Sequence, residues 1–597
     1  NDNKIKRIQE LNDVKDINSS NNKNEFLYPN INDKDFIIKL AHRKEFYDTM
    51  YNGKIYNVEE RAEQLCNAIF ELSPHQIFVK NFLSSYTPYN SLLLYHGLGS
   101  GKTCSAITVA EETRDYMKQI GKSTRIMIIA SPNVQENFKK QLFDKTKLVK
   151  DNGLWNISSC TGNKLLREIN PVNMKNLSKK DVVYKIEQLI KKSYIFMGYI
   201  EFAGYIKKLS NVDTDNKNAS RIIKKRLNNK FRDRLLIIDE VHNIRSSLEN
   251  TKKRVASELL KLVKNISNMK LLLLSATPMY NDYKEIIWLI NLMNLNDNRG
   301  TIKTNEVFDN NGNFKENNDD NEDGDELLKR KSTGYISFIR GENPYTFPYR
   351  LWPTYFESEN TFKNNLYPRY QLNGISILEK LNIIDVYLTN IGDYQMLGYN
   401  YIINKMKEGF FNTGRDDVMP DFENMESFGY NLLQKPLEAL NIVYPDNRLE
   451  TANSNFNPIE IVGKEGLNRI MTHTESVSPP SKYNYEYKDD KYGRIFSPDN
   501  IGKYSSKIEK ICNNIIKSKG VILVYSQYLD GGLVPLALAL EELGFIRGGN
   551  EKSLLKTKPK NNNLIEIDGE MIQPKYVMIT GDKKLSPNTN NDINILT

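Results

Sequence analysis

His96-Gly97-Leu98-Gly99-Ser100-Gly101-Lys102-Thr103 is the stretch whose reading decides the fold. An apolar run, Ser91-Leu92-Leu93-Leu94-Tyr95, precedes it, and a helix-like segment from Cys104 to Lys118 follows. Strand, glycine loop and helix in that order form the setting a phosphate-binding loop requires. Glycines let the backbone curl until its N–H groups face phosphate oxygens, and the helix N-terminus adds partial positive charge. Gly97, Gly99, Ser100 and Gly101 would line the phosphates, Lys102 would reach the outer ones, and the Thr103 hydroxyl would ligate Mg²⁺. The strict pattern has glycine where His96 stands, so an ordinary glycine-rich turn is the competing reading.

Two later strand ends weigh against that competitor. Leu235-Leu236-Ile237-Ile238 is a continuous apolar run, the signature of a parallel strand buried on both faces. It ends in Asp239-Glu240-Val241-His242, where open α/β sheets place their ligands. Asp239 would hold Mg²⁺ and Glu240 would polarise an attacking water; alone, such a pair is often a helix cap. Lys270-Leu271-Leu272-Leu273-Leu274 is a third such run and ends in Ser275-Ala276-Thr277-Pro278. Ser275, Ala276 and Thr277 could couple a nucleotide site to a second domain.

With H-x-x-G-x-G-K-T, D-E-V-H and S-A-T-P in this order, the chain resembles the superfamily 2 helicases and translocases. The resemblance implies ATP and Mg²⁺ as cofactors, with Lys102, Asp239 and Glu240 catalytic. It implies that Gln76, in Leu72-Ser73-Pro74-His75-Gln76, reads adenine. Ser131, Pro132 and Asn133 then match motif Ia, Thr161 and Gly162 motif Ib, and Ser526 and Gln527 motif IV, all touching the nucleic-acid backbone. The spelling is similar to one branch, the ATPases of large cytoplasmic DNA viruses. That branch includes the small subunit of the poxvirus early transcription factor and nucleoside triphosphate phosphohydrolase I. Ser337 to Pro348 also looks like this branch.

The organisation expected is α/β, with two RecA-like doubly wound parallel-sheet domains, the second incomplete, and a largely helical insertion between them. Residues 1–60 read as a polar extension and 61–300 as the ATP-binding domain. Residues 301–502 read as the insertion, with an acidic solvated loop at 309–328, and 503–597 as the start of the second domain. Gly520 to Tyr528 reads as a buried strand there, and Tyr576 to Asp582 as the next. The aromatic-rich insertion, with Tyr345, Phe347, Tyr349, Trp352 and Tyr355, is expected to pack as a core; base stacking is the alternative. ATP would sit between the two domains, with the strand crossing both.

Composition is permissive. The 597 residues carry 83 Lys+Arg and 74 Asp+Glu, a net charge of +9, which allows a polyanion partner without demanding one. The four cysteines lack metal spacing, and free thiols in a reducing compartment are the simplest expectation. No apolar stretch approaches the ~20 residues of a membrane helix. The family's Q-x-x-G-R-x-x-R motif, whose arginines contribute roughly 10³–10⁵ in rate, is not found. The chain is therefore expected to be part of a longer protein, binding ATP but hydrolysing it poorly.

Three functions stay open. The first is a viral early-transcription ATPase in the virion and host cytoplasm, working on DNA with a larger promoter-reading subunit and RNA polymerase. The second is a replication or repair helicase, or a termination translocase. The third is a non-catalytic nucleotide-binding scaffold.

Overall fold

The structure, a computed structural model, describes residues 28–586 apart from 52, 68–70, 152, 172–176, 213–217, 245–249, 280–281, 310–311, 317–321, 340–350, 363–366, 372–374, 379–385, 409, 411–429, 452–454, 476–482, 489, 519, 549–552, 558, 560–564, 568–569 and 583–584. Tyr345, Phe347 and Tyr349 lie outside the described residues. The chain divides into two compact units, Asn1–Tyr349 and Arg350–Thr597.

The strands in chain order are β1 (Ser91–His96), β2 (Ile126–Ile129), β3 (Leu148–Asp151), β4 (Leu154–Ile157), β5 (Tyr194–Met197), β6 (Leu235–Ile238), β7 (Lys270–Ser275) and β8 (Ile336–Ile339) in the first unit. β3 and β4 form a small antiparallel hairpin. The other six make one parallel sheet in the order β5-β2-β6-β7-β1-β8.

Apolar residues fill both faces because successive side chains alternate. Leu93, Met127, Ile129, Leu236, Ile238, Leu271 and Leu273 share one buried cluster with the helices Tyr199–Leu209, Ala219–Phe231, Asn250–Lys264 and Glu285–Asn296. Leu92, Leu94, Ile126, Ile128, Leu235, Ile237, Leu272 and Leu274 share another with the helices Pro74–Phe82, Lys102–Gln119 and Pro132–Leu142. This is the doubly wound arrangement, and it explains why the strand runs read as unbroken apolar stretches.

The first unit extends past both ends expected for it. Phe36, Leu40 and Phe46 are buried in the second of these clusters, so part of the segment 28–49 packs on this core. Three widely spaced apolar anchors among Asn, Asp and Lys hid this in the sequence. At the other end β8 adds a sixth strand beside β1, well beyond residue 300. The acidic stretch 309–328 is not all loop: the helix Gly324–Ser332 begins inside it, with Asp325 and Glu326 in its first turn, where the helix dipole favours negative charge.

In the second unit the strands are β9 (Met471–Glu475), β10 (Tyr483–Tyr487), β11 (Ile546–Arg547), β12 (Ile565–Ile567), β13 (Glu570–Ile572) and β14 (Lys575–Tyr576). They pair two at a time, β11 with β14 in parallel. The run 520–528 is no buried strand: Val521, Leu523 and Tyr525 are exposed and form no ladder among the described residues. A continuous apolar run becomes a buried strand only between two neighbours, and the described residues supply none here.

One buried cluster runs from Tyr394 to Leu585, so no structural boundary falls at residue 503. Aromatics build much of it. Tyr401 stacks on Phe456 at 4.5 Å, and Tyr394 meets Tyr504 edge-on at 5.3 Å. Tyr355 is exposed. No helix among the described residues is long and apolar enough to cross a membrane.

The expectation of free thiols is corrected. Cys104 and Cys160, 56 residues apart, are joined as a disulfide with their Cα atoms 5.3 Å apart, while Cys512 is free and buried. Local spacing could not reveal a pair that only tertiary packing brings together. Non-reducing peptide mapping should recover Cys104 and Cys160 as one linked pair. Reduction should cost the first unit up to about 4 kcal/mol for a loop of that length. Recovery of both as free thiols from unreduced protein would contradict the pairing.

Candidate nucleotide site

The loop after β1 closes on left-handed glycines. Gly99 has φ +73° and Gly101 φ +76°. The positive φ at Gly101 favours glycine, and a Cβ there would lie 2.5 Å from the Gln76 side-chain nitrogen, which would have to move. The helix Lys102–Gln119 starts at once, aiming its first N–H groups into the loop. Gln76 is buried; its Nε2 donates to the Gly101 carbonyl at 3.3 Å and its Oε1 accepts from Ser73 N at 3.0 Å. Lys102 Nζ folds back over the loop and donates to the carbonyls of His96 (2.9 Å) and Gly97 (3.2 Å). Burial lowers its pKa, opposed by the nearby Glu240 and Asp239 carboxylates. Thr103 is half-buried one residue further along the helix.

His96, standing where the strict pattern has glycine, is a fully buried strand residue. Its Nε2 meets the Ser337 hydroxyl on β8 at 2.8 Å. Burial first, then neighbouring His75 and Lys102, push its pKa down to about 3, so the ring is neutral. His75 in turn touches the Ser100 carbonyl at 2.9 Å and the Tyr51 hydroxyl at 2.7 Å.

Asp239 and Glu240 stand at the carboxyl end of β6, two strands from β1. Asp239 is buried, and desolvation first, then Glu240, raises its pKa to about 6; the Glu240 N–H and Lys102 oppose this. That N–H donates to Asp239 Oδ1 at 2.8 Å. Glu240 holds φ +46°, a left-handed conformation that costs a non-glycine residue of order 1–3 kcal/mol. His242 Nδ1 lies 3.3 Å from Glu240 Oε2 and 3.0 Å from Ser275 Oγ, which also accepts from Thr277 N at 3.0 Å. One imidazole thus joins the acidic pair to the segment Ser275-Ala276-Thr277 at the end of β7.

Ser131 precedes the helix Pro132–Leu142 at the carboxyl end of β2, and Pro132 and Asn133 are exposed. Thr161 Oγ1 donates to the Leu142 carbonyl at 3.1 Å, tying the second predicted backbone-contact segment, with Gly162, to the end of that same helix. Ser526 and Gln527 belong to the other unit; Ser526 Oγ accepts from Tyr528 N at 3.1 Å, and Gln527 is exposed.

Sequence reasoning missed Tyr199. Its hydroxyl donates to the Asp239 carbonyl at 2.8 Å, and burial raises its pKa to about 12. It follows β5 at the same sheet edge, so its position just past a strand end was the available signal. The donor set fits a magnesium nucleotide: a glycine loop at a helix start, a cation held by loop carbonyls, and two carboxylates alongside.

Residues 75–332 match the SNF2-related domain. Among similar proteins are two named "Putative ATP-dependent RNA helicase" in Acanthamoeba polyphaga mimivirus. One is 25% identical over 86% of this chain and 70% of its own length; the other is 25% identical over 54% of this chain and 28% of its own. An African swine fever virus "Early transcription factor large subunit homolog" is 24% identical over 54% of this chain and 35% of its own length. The resemblance to helicase-type ATPases of large DNA viruses therefore holds, although the chain spans only part of these relatives.

The buried Asp239 carboxyl has a sign-definite consequence. Its folded-state pKa lies above the ordinary 3.8, so its contribution to stability is present at low pH and is lost as pH rises through about 6. Asp239→Asn should therefore stabilise the nucleotide-free, metal-free protein at pH 7.5 by about 1–3 kcal/mol, with the gain vanishing near pH 4. Urea titrations at the two pH values measure this; a destabilised variant at pH 7.5 would contradict it.

Proposed function

We propose that this chain is the motor part of a nucleic-acid-dependent ATPase of a large cytoplasmic DNA virus, engaged on DNA in early transcription. Its partners would be a promoter-reading subunit and the viral RNA polymerase, in the virion and host cytoplasm. The observation that carries the reading is the convergence of Lys102, Asp239 and Glu240 at the carboxyl ends of β1 and β6. The name of the African swine fever virus relative supports the transcription role.

Lys102 would exchange the His96 and Gly97 carbonyls for phosphate oxygens, and Gln76 would face adenine. Thr103 and Asp239 would hold Mg²⁺, which when bound offsets the charge on the phosphates. Glu240 would orient and polarise water. His242 would report the state of that pair to Ser275. Ser131, Pro132, Asn133, Thr161 and Gly162 would track a strand through its phosphates. The names of the two mimivirus relatives favour a second reading in which RNA is the strand.

Steady-state ATP hydrolysis by the full-length protein with duplex DNA, single-stranded DNA and RNA separates these readings. The expected result is turnover stimulated by DNA and reduced about 10²–10⁴-fold in Glu240→Gln. Stimulation by RNA alone would favour the second reading. Equal rates in both proteins would contradict the assignment of Glu240.

A further inference from the structure

The opposite end of the sheet holds a second cationic place. A cavity of about 200 Å³ opens beneath the amino ends of β1, β6 and β7, and Asn90, Lys122, Asp233, Arg234 and Lys270 are among its walls. The six residues of β1 separate it from the glycine loop by about 20 Å. Two of its cations, both half-buried, form no ion pair among the described residues. Lys270 Nζ donates to the carbonyls of Ser84 (3.1 Å) and Tyr89 (2.9 Å). Arg234 Nε is buried and has no hydrogen-bond partner.

Among the described residues neither nearby carboxylate forms an ion pair with Arg234 or Lys270. Asp233 pairs with Lys122 at 2.7 Å and accepts from Asn268. Asp297 lies within electrostatic reach of Lys270; burial holds its carboxyl above the ordinary value, and its Oδ2 has no hydrogen-bond partner. Arg125 adds like charge near Arg234. A buried cation without a counter-charge is costly, and a guanidinium cannot shed its proton to escape. Lysine can, and burial does push Lys270 down to about 8. An anion in the cavity would relieve both groups, and the planar guanidinium fork suits phosphate oxygens.

We propose that this cavity binds a small phosphate-class anion, gripped by Arg234 and Lys270 and separate from the nucleotide site. Such a ligand would stabilise the first unit from below the sheet while the loop above it turns over.

The test titrates inorganic phosphate into the whole chain by calorimetry and by thermal melting, using wild type, Lys102→Ala and Arg234→Met. Lys102→Ala should keep one saturable phosphate site, and Arg234→Met should weaken that site about tenfold or more. Without phosphate, Arg234→Met should melt no lower than wild type, because it removes a half-buried guanidinium whose Nε has no partner and keeps an apolar stem. Loss of all phosphate binding in Lys102→Ala would overturn the proposal. So would a lower ligand-free melting temperature of Arg234→Met, which would make the guanidinium a structural strut. Displacement of the phosphate by a single-stranded oligonucleotide would overturn the small-ligand assignment.

Discussion

Parallel pairing of β1 with β7 and of β7 with β6 sets three carboxyl ends side by side, and the chemistry of the first unit hangs on that alignment. The register places Tyr95 opposite Ser275 and Ile238 opposite Leu273, so the loops that follow leave the sheet at one edge. Each loop brings a different element: a curled backbone with a lysine, an acidic pair, and a small hydroxyl turn. Their convergence costs little in local strain, because two apolar clusters, one on each face, already hold the strands together.

The exceptions to that low cost are informative. Glu240 sits in a left-handed conformation and Asp239 is a carboxyl forced out of water. Both are unfavourable in the empty protein, and both place negative charge beside Lys102. Tyr199 and His242 brace the pair from two sides, the first through the Asp239 carbonyl and the second through the Glu240 carboxylate. Lys102 lies against its own loop carbonyls, a position that phosphate oxygens can replace at small cost since one set of oxygen acceptors exchanges for another.

Much of this was legible in the sequence because parallel strands buried on both faces read as unbroken apolar runs, and their ends mark the ligand edge. Ser91–Tyr95, Leu235–Ile238 and Lys270–Leu274 were found in that way. The same signal misled at Val521–Tyr525, since apolar content does not say whether neighbouring strands exist. β8 escaped notice because an edge strand alternates between exposed and half-buried positions. The burial of Phe36, Leu40 and Phe46, the Cys104–Cys160 link and the partnership of His96 with Ser337 depend on contacts distant in sequence. No local pattern encodes them.

The central claim is that Lys102 and the acidic pair form one magnesium-nucleotide site. Equilibrium binding of a fluorescent ATP analogue in the presence of Mg²⁺, in wild type and in Lys102→Ala, tests it most directly. Loss of one charge-assisted contact to phosphate predicts affinity lower by about 10–100-fold in the variant. Unchanged affinity would mean that the glycine loop after β1 is not where the nucleotide sits.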